Sequence, residues 1–135
     1  MVETWPVSNV IVDSRHHFWD ISKMNYFWMP TGESTVMRNY LPSDLASNLE
    51  AAGVTRTVLV QANQTQKEAI FLLDLADAVE FVAGVVVWTD LQASDIGQVL
   101  DELLRRDKLV GVRHDPDDDW LIRDSSMRGL RMLAE

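Results

Sequence analysis

Val10-Ile11-Val12-Asp13-Ser14-Arg15-His16-His17-Phe18-Trp19-Asp20 is the stretch on which the fold of this chain turns. A short apolar run ends in a group of ionisable and aromatic residues. In a strand, successive side chains point to opposite faces, so Asp13, Arg15 and His17 share one face and Ser14 and His16 take the other. A carboxylate, a guanidinium and an imidazole then meet at the C-terminal end of a buried strand. In α/β proteins that is where chemistry is placed.

The same pattern recurs downstream. Thr57-Val58-Leu59-Val60 ends in Gln61-Ala62-Asn63-Gln64. Phe81-Val82-Ala83-Gly84-Val85-Val86-Val87 ends in Trp88-Thr89-Asp90, and Leu109-Val110-Gly111-Val112 ends in Arg113-His114-Asp115. Strands are expected near 9–13, 56–61, 81–88 and 109–114. Amphipathic helices separate them. The first starts at Leu41-Pro42-Ser43-Asp44, carries Leu45, Leu49 and Ala52 on one stripe, and stops at Gly53. The second runs from Thr65 to about Val79. The third, capped by Ser94, sets Ile96, Val99, Leu100, Leu103 and Leu104 on one face. The fourth begins near Asp124 or Ser125 and puts Met127, Leu130 and Ala134 on one side. Apolar strands alternating with such helices indicate a parallel sheet covered by helices, in one domain over residues 1–135. The long segment 18–41 has no clean period. It holds Trp19, Tyr26, Phe27 and Trp28, and reads equally as a binding loop or as an Ω-loop packing its own aromatics.

Composition bounds the function. The chain has 135 residues, is 47% hydrophobic and 24% charged, and carries a net charge of −9. An acidic protein does not suit nucleic acid or an anionic membrane. It has no cysteine, so disulfides, zinc–thiolate sites and thiol nucleophiles are excluded. Met1-Val2-Glu3-Thr4-Trp5-Pro6 does not read as a secretory signal, and no apolar stretch suits a bilayer span, so a cytoplasmic location is expected.

In a parallel sheet the four polar strand ends converge on one rim. Polar residues also simply mark where strands leave the core, which accounts for one or two of the ends. All three histidines, however, lie at just two of them.

The stretch from Asp13 to Asp20 resembles the Asp-x-His-x-His signature at the first strand of the amidohydrolase superfamily. It is most similar to the branch of fuconolactonase-like and pyrone-dicarboxylate lactonase-like proteins. The resemblance extends through Arg38 to Leu45, Val58 to Ala62, Ala83 to Leu91 and Leu109 to His114, in order. It implies a TIM (β/α)8 barrel that hydrolyses small lactones or related esters and amides by water attack on a polarised carbonyl. Carried onto this chain, it makes His17 and His114 the candidate catalytic residues. Arg15, Arg113, Gln61, Trp88 and Asp90 become candidate substrate-binding residues, and His17 a ligand for one divalent metal, zinc.

Two departures qualify this. Arg15 stands where the first metal-binding histidine of the signature is expected, and a guanidinium has no lone pair to give a metal. Arg15, with Arg113, is instead expected to bind a substrate carboxylate or polarise the lactone carbonyl. The alternative is a structural ion pair with Asp13 or Asp20. Length is the second departure. A full barrel takes about 250 residues, so this chain reads as the N-terminal (βα)4 half. Its open edges are expected to be covered by a missing C-terminal half or by a second copy, making a homo-oligomer. A non-catalytic half-barrel acting as an association module is the competing function. A flavodoxin-like or response-regulator-like domain is a third and wants a fifth strand.

Overall fold

The computed structural model describes residues 9–135; Met1 to Pro6, read above for a secretory signal, lie outside them. The chain runs as β1 (Val12–His16), α1 (Pro42–Ala52), β2 (Arg56–Val60), α2 (Gln66–Asp77), β3 (Val82–Trp88), α3 (Ile96–Leu103), β4 (Leu109–Arg113), a 3₁₀ turn (Trp120–Ile122) and α4 (Asp124–Ala134). The four strands form one sheet in the order β1-β2-β3-β4, and all pairs are parallel. Every C-terminal strand end therefore lies on the same rim.

Local chemistry sets the helix ends. Pro42 opens α1, Asp44 closes back on the Leu41 amide at 2.8 Å, and Gly53 ends the helix at φ +68°, where only glycine is comfortable. The Thr65 side chain caps α2 by accepting from the Glu68 amide. Asp95 occupies the cap position of α3, one residue beyond the expected Ser94, and makes no side-chain cap.

The main core lies between the sheet and the helices. Leu59, Val85 and Val87 pack there on Leu72, Leu73 and Ala76. A second cluster of Leu91, Ile96, Leu100 and Trp120 lies under α4.

Three expectations change. β1 starts at Val12 rather than near residue 9, and Val10, Ile11 and Val12 are 58%, 49% and 48% exposed. β1 is an edge strand, and its face away from the helices is uncovered. Second, α4 buries Ser126 and Gly129, while Met127 and Ala134 face solvent. The cause is contact with the chain after β3: a Cβ at Gly129 would lie 1.9 Å from the Leu91 carbonyl oxygen. Small residues must face inward there, so the larger ones turn out.

Third, each strand pair contains a one-residue slip. In β1 the register runs from Asp13↔Thr57 to His16↔Leu59, three residues against two. Such a bulge inverts the alternation downstream of it. Asp13 and His16 therefore both lie on the helix-covered face with Thr57 and Leu59, and Asp13 does not share a face with Arg15 and His17. The Asp13 carboxylate oxygen accepts the Arg15 amide at 3.1 Å and closes the bulge.

Candidate active site

The face turned away from the helices carries the site. Alternation about His16 puts Arg15 of β1 and His17, just beyond it, on this face, and the register adds Trp88 from β3 and Arg113 from β4, which are direct partners. The end of β2 holds two of them. His17 donates Nδ1–H to the Val60 carbonyl at 2.6 Å, and Arg113 donates to the next carbonyl, Gln61, at 2.9 Å. A residue following β1 and a residue of β4 are thus fixed on successive carbonyls of one strand.

The first of these bonds sets the chemistry of His17. A carbonyl can only accept, so Nδ1 carries the proton and a neutral ring keeps its lone pair on Nε2. Burial, then the neighbouring Arg15 and Arg113 guanidiniums, push the His17 pKa below 6.5, outweighing the Val60 bond that raises it. Arg113 also pairs with Asp115 at 2.8 Å, and that pairing holds the Asp115 carboxyl below its usual range. Arg15 is exposed and makes no ion pair among the described residues, so neither Asp13 nor Asp20 takes its charge. Asp20 is instead bound by Ser22 and by Lys23.

Other expected site residues are placed elsewhere. Gln61 follows Val60 and points to the covered face, where it is fully buried. Its amide donates to the Asn63 and Thr65 carbonyls, and its oxygen accepts the Trp88 amide at 2.7 Å. Its polar groups thus go into holding the turn between β2 and α2 and tying it to β3. His114, next after Arg113, also turns to the covered side and stacks on Trp120, with ring centroids 4.4 Å apart. Asp90 is exposed and accepts the Gln92 amide in the turn after β3. Neither Gln61 nor His114 joins His17.

Segment 18–41 is a loop that packs its own aromatics. Trp19 and Tyr40 bridge as a short antiparallel pair, and Trp19 meets both Trp28 and Tyr40 edge-on. Phe27 and Trp28 then line a hollow of about 410 Å³ with Ala62, Asn63, Gln64 and Asp115. A smaller hollow of about 190 Å³ at the β1 edge is lined by His16, His17, Tyr40 and Asp44 among others. Sequence reading missed one residue altogether: Glu68, which is fully buried in the first turn of α2. The spacing Thr65-x-x-Glu68 was the available signal, because it is a capping-box pattern. In the structure the carboxylate turns inward to Asn63 instead.

The residues present do not fit a divalent metal. His17 is one imidazole donor flanked by two cations, and no group of three or more potential ligands occurs among the described residues. In the exposed run from Asp115 to Asp119, Asp115 pairs with Arg113 and Asp117 with Arg123, each at 2.8 Å.

A family model described as "Amidohydrolase" matches residues 12–135. The chain belongs to that family. It is 38% identical over 114 residues to the L-fucono-1,5-lactonase of Burkholderia ambifaria, an overlap covering 82% of this chain and 39% of that protein. Among solved structures, an amidohydrolase from Burkholderia multivorans with bound zinc superposes with a TM-score of 0.83 at 32% identity, over 92% of this chain and 45% of that one. A probable 2-pyrone-4,6-dicarboxylic acid hydrolase from Acinetobacter baumannii shares the fold, with a TM-score of 0.63 at 15% identity. The chain therefore spans less than half the length of the relatives it matches, and its four strand–helix units are a (βα)4 half of their TIM barrel. No helix among the described residues is long and apolar enough to cross a membrane.

Proposed function

We propose that this amidohydrolase chain supplies half of an active site that hydrolyses a small lactone or related ester or amide. The observation that carries the reading is the placement of His17 and Arg113 on the adjacent Val60 and Gln61 carbonyls, with Arg15 near His17 and without an ion pair among the described residues. The name of its Burkholderia ambifaria relative supports the choice of a lactone. In this reading the neutral His17 Nε2 accepts a proton from water as the water oxygen attacks the lactone carbonyl carbon. The Arg15 guanidinium faces the oxyanion that forms. When the carbonyl reforms, the ring C–O bond breaks, the alkoxide takes a proton, and a hydroxy acid leaves. Trp88 contributes to the wall of the site. No step runs through a metal.

The same proposal assigns a partner. Val12 and Val110 are exposed on the uncovered face, and β1 and β4 leave open edges. A further (βα)4 set covers them, as the length of the relatives suggests, and the enzyme works in the cytoplasm. Titration of a panel of sugar lactones and their hydroxy acids, followed by the His17 ring resonances and by proton release, tests the site. Shifts at His17 and Trp88 are expected. If no member perturbs either residue, the reading fails. A sedimentation measurement showing a dimer would instead make a second copy the cover.

A further inference from the structure

Glu68 is fully buried beside the rim and plays no part in the reaction just proposed. Its Oε2 accepts the Asn63 amide at 2.6 Å, and Tyr26, whose hydroxyl accepts the Asp20 amide at 3.4 Å, is among the groups facing it. Oε1 nevertheless has no partner of good hydrogen-bond geometry among the described residues. Tyr26 comes from the long loop after β1 and is itself buried. The same corner holds the loop at two further points. Asn63 Nδ2 donates to the Asn25 carbonyl at 2.8 Å, and Lys67 Nζ donates to the Lys23 carbonyl at 2.9 Å. Residues 20–29 are thus strapped onto the junction of β2 and α2.

The strap leads directly to the hollow. The Tyr26 ring meets Trp28 edge-on at 6.0 Å between centroids. Phe27 and Trp28 are 83% and 47% exposed and stand over the hollow beside Asn63. Large aromatic side chains this open, at the mouth of a hollow that Asn63, Gln64 and Asp115 also line, form a wall whose position needs something to hold it. The groups around Glu68 are the Asn63 and Ala62 amides, the Gln61 amide group and Tyr26, with Asp20 behind Tyr26 and Lys23 on Asp20.

We propose that Glu68 is a positioning residue: acting through Tyr26 and Asn63, it sets the Phe27–Trp28 wall over the hollow. The use of this wall by a substrate rests on the hydrolase reading, but the placement of the wall does not, so the test reads the wall directly. Burial pushes the Glu68 carboxyl up, against the pull of its donors, and Tyr26 is pushed up by burial first and by Glu68 next.

Hydrogen exchange of the whole chain provides the test, with Trp28 emission isolated by subtracting a Trp28→Phe variant. Glu68→Ala, which loses the Asn63 bond, and Tyr26→Phe, which loses the Asp20 bond, should each raise exchange across 20–29 by about tenfold, the loss of one buried hydrogen bond, and shift Trp28 emission to the red. Amides of Val82–Trp88 should keep wild-type rates. Glu68→Gln, which keeps an acceptor for Asn63, should restore most of the protection. It should also abolish a pH dependence present in the wild type, whose strap loosens as pH rises and Glu68 ionises. If Glu68→Ala does not fold, Tyr26→Phe and Glu68→Gln decide together, and a Glu68→Gln strap that keeps the wild-type pH dependence overturns the role of Glu68. Unchanged Trp28 emission in Tyr26→Phe, or exchange rising equally in β3 and the strap, would overturn the assignment. If the exchange results hold and the lactone titration fails, the strap stands and only the hydrolase reading falls.

Discussion

The central and edge strands of this sheet are written in the same apolar alphabet yet meet different surroundings. In β2 and β3, Leu59, Val82, Val85 and Val87 have no exposed surface. In β1 and β4, Val12 and Val110 are 48% and 59% exposed. An apolar run therefore announces a strand, and the neighbours decide whether it is buried. The site lies on the less covered side of this divide. Arg15 and Arg113 come from the edge strands and His17 from just beyond one of them, while the end of central β2 supplies the carbonyls that hold two of them in place.

The sharpest contrast is in stability. Leu59→Ala should cost about 2–5 kcal/mol, as for large-to-small changes in a filled core. Val110→Ser should stay within about 0.5 kcal/mol, as at ordinary surface positions. Urea unfolding midpoints measure both. Should Val110→Ser prove as costly as Leu59→Ala, the open face is covered in solution, and the comparison between centre and edge breaks.

A smaller effect is expected where the two classes of strand touch. A Cβ at Gly84 in β3 would lie 2.7 Å from the nearest Val110 methyl of β4. Gly84→Ala should cost about 1–3 kcal/mol through overpacking. Because the obstacle is a side chain at an open edge, adding Val110→Ala should recover most of the loss. Failure of that rescue in the double variant would mean that the backbone of β4, rather than its side chain, is the constraint.

How much of this was legible depends on whether a feature is local. The four strand–helix units, the Gly53 stop and the common rim follow from periodicity and punctuation, which are written in neighbouring residues. The bulge in β1 is not, since it depends on pairing with residues 56–59, more than 40 positions away. It moved Asp13 off the site face and left Arg15 and His17 on it. Gln61 and His114 looked like rim residues, but one step of strand alternation turned each toward the helices. Glu68 carried the outward mark of a capping residue. Only the folded approach of Asn63 and Tyr26 makes it an interior one. The buried face of α4 was misread for the same reason, because contact with Leu91 outranks the apolar stripe.

Titration separates the two regions in direction more than in size. Burial lowers both His16 and His17 below 6.5 at the edge, while burial raises Glu68 above 4.5 beside the centre. A lowered histidine means that the unfolded chain binds protons first, so stability is lost as pH falls from 6.5 through the folded value. A raised carboxyl means that the unfolded chain ionises first, so stability is lost as pH climbs from 4.5 through the folded value. Measured as a difference from wild type across pH, His17→Asn should therefore gain relative stability toward acid and Glu68→Gln toward neutral pH. Two flat or parallel difference curves would remove the contrast.

The smallest expected change in stability falls on Arg15, and it tests the chemistry of the edge most closely. Arg15 is exposed and makes no ion pair among the described residues, so Arg15→His should shift the unfolding midpoint very little. Metal affinity should respond differently. The Val60 carbonyl already fixes the His17 ring with Nε2 as its free nitrogen, the kind of outer bond that orients a metal-binding histidine. The Arg15 charge already acts on the His17 ring, so a histidine at 15 would stand near His17 as a second donor, and one of the two cations now flanking that ring would be gone. Zinc binding by calorimetry should tighten by about tenfold or more, of the order seen when one supporting group at a metal site is gained or lost. If zinc binds wild type and variant equally, Arg15 is not what keeps a metal from this strand end. The side chain would then have to be directed away from His17 despite the shared face.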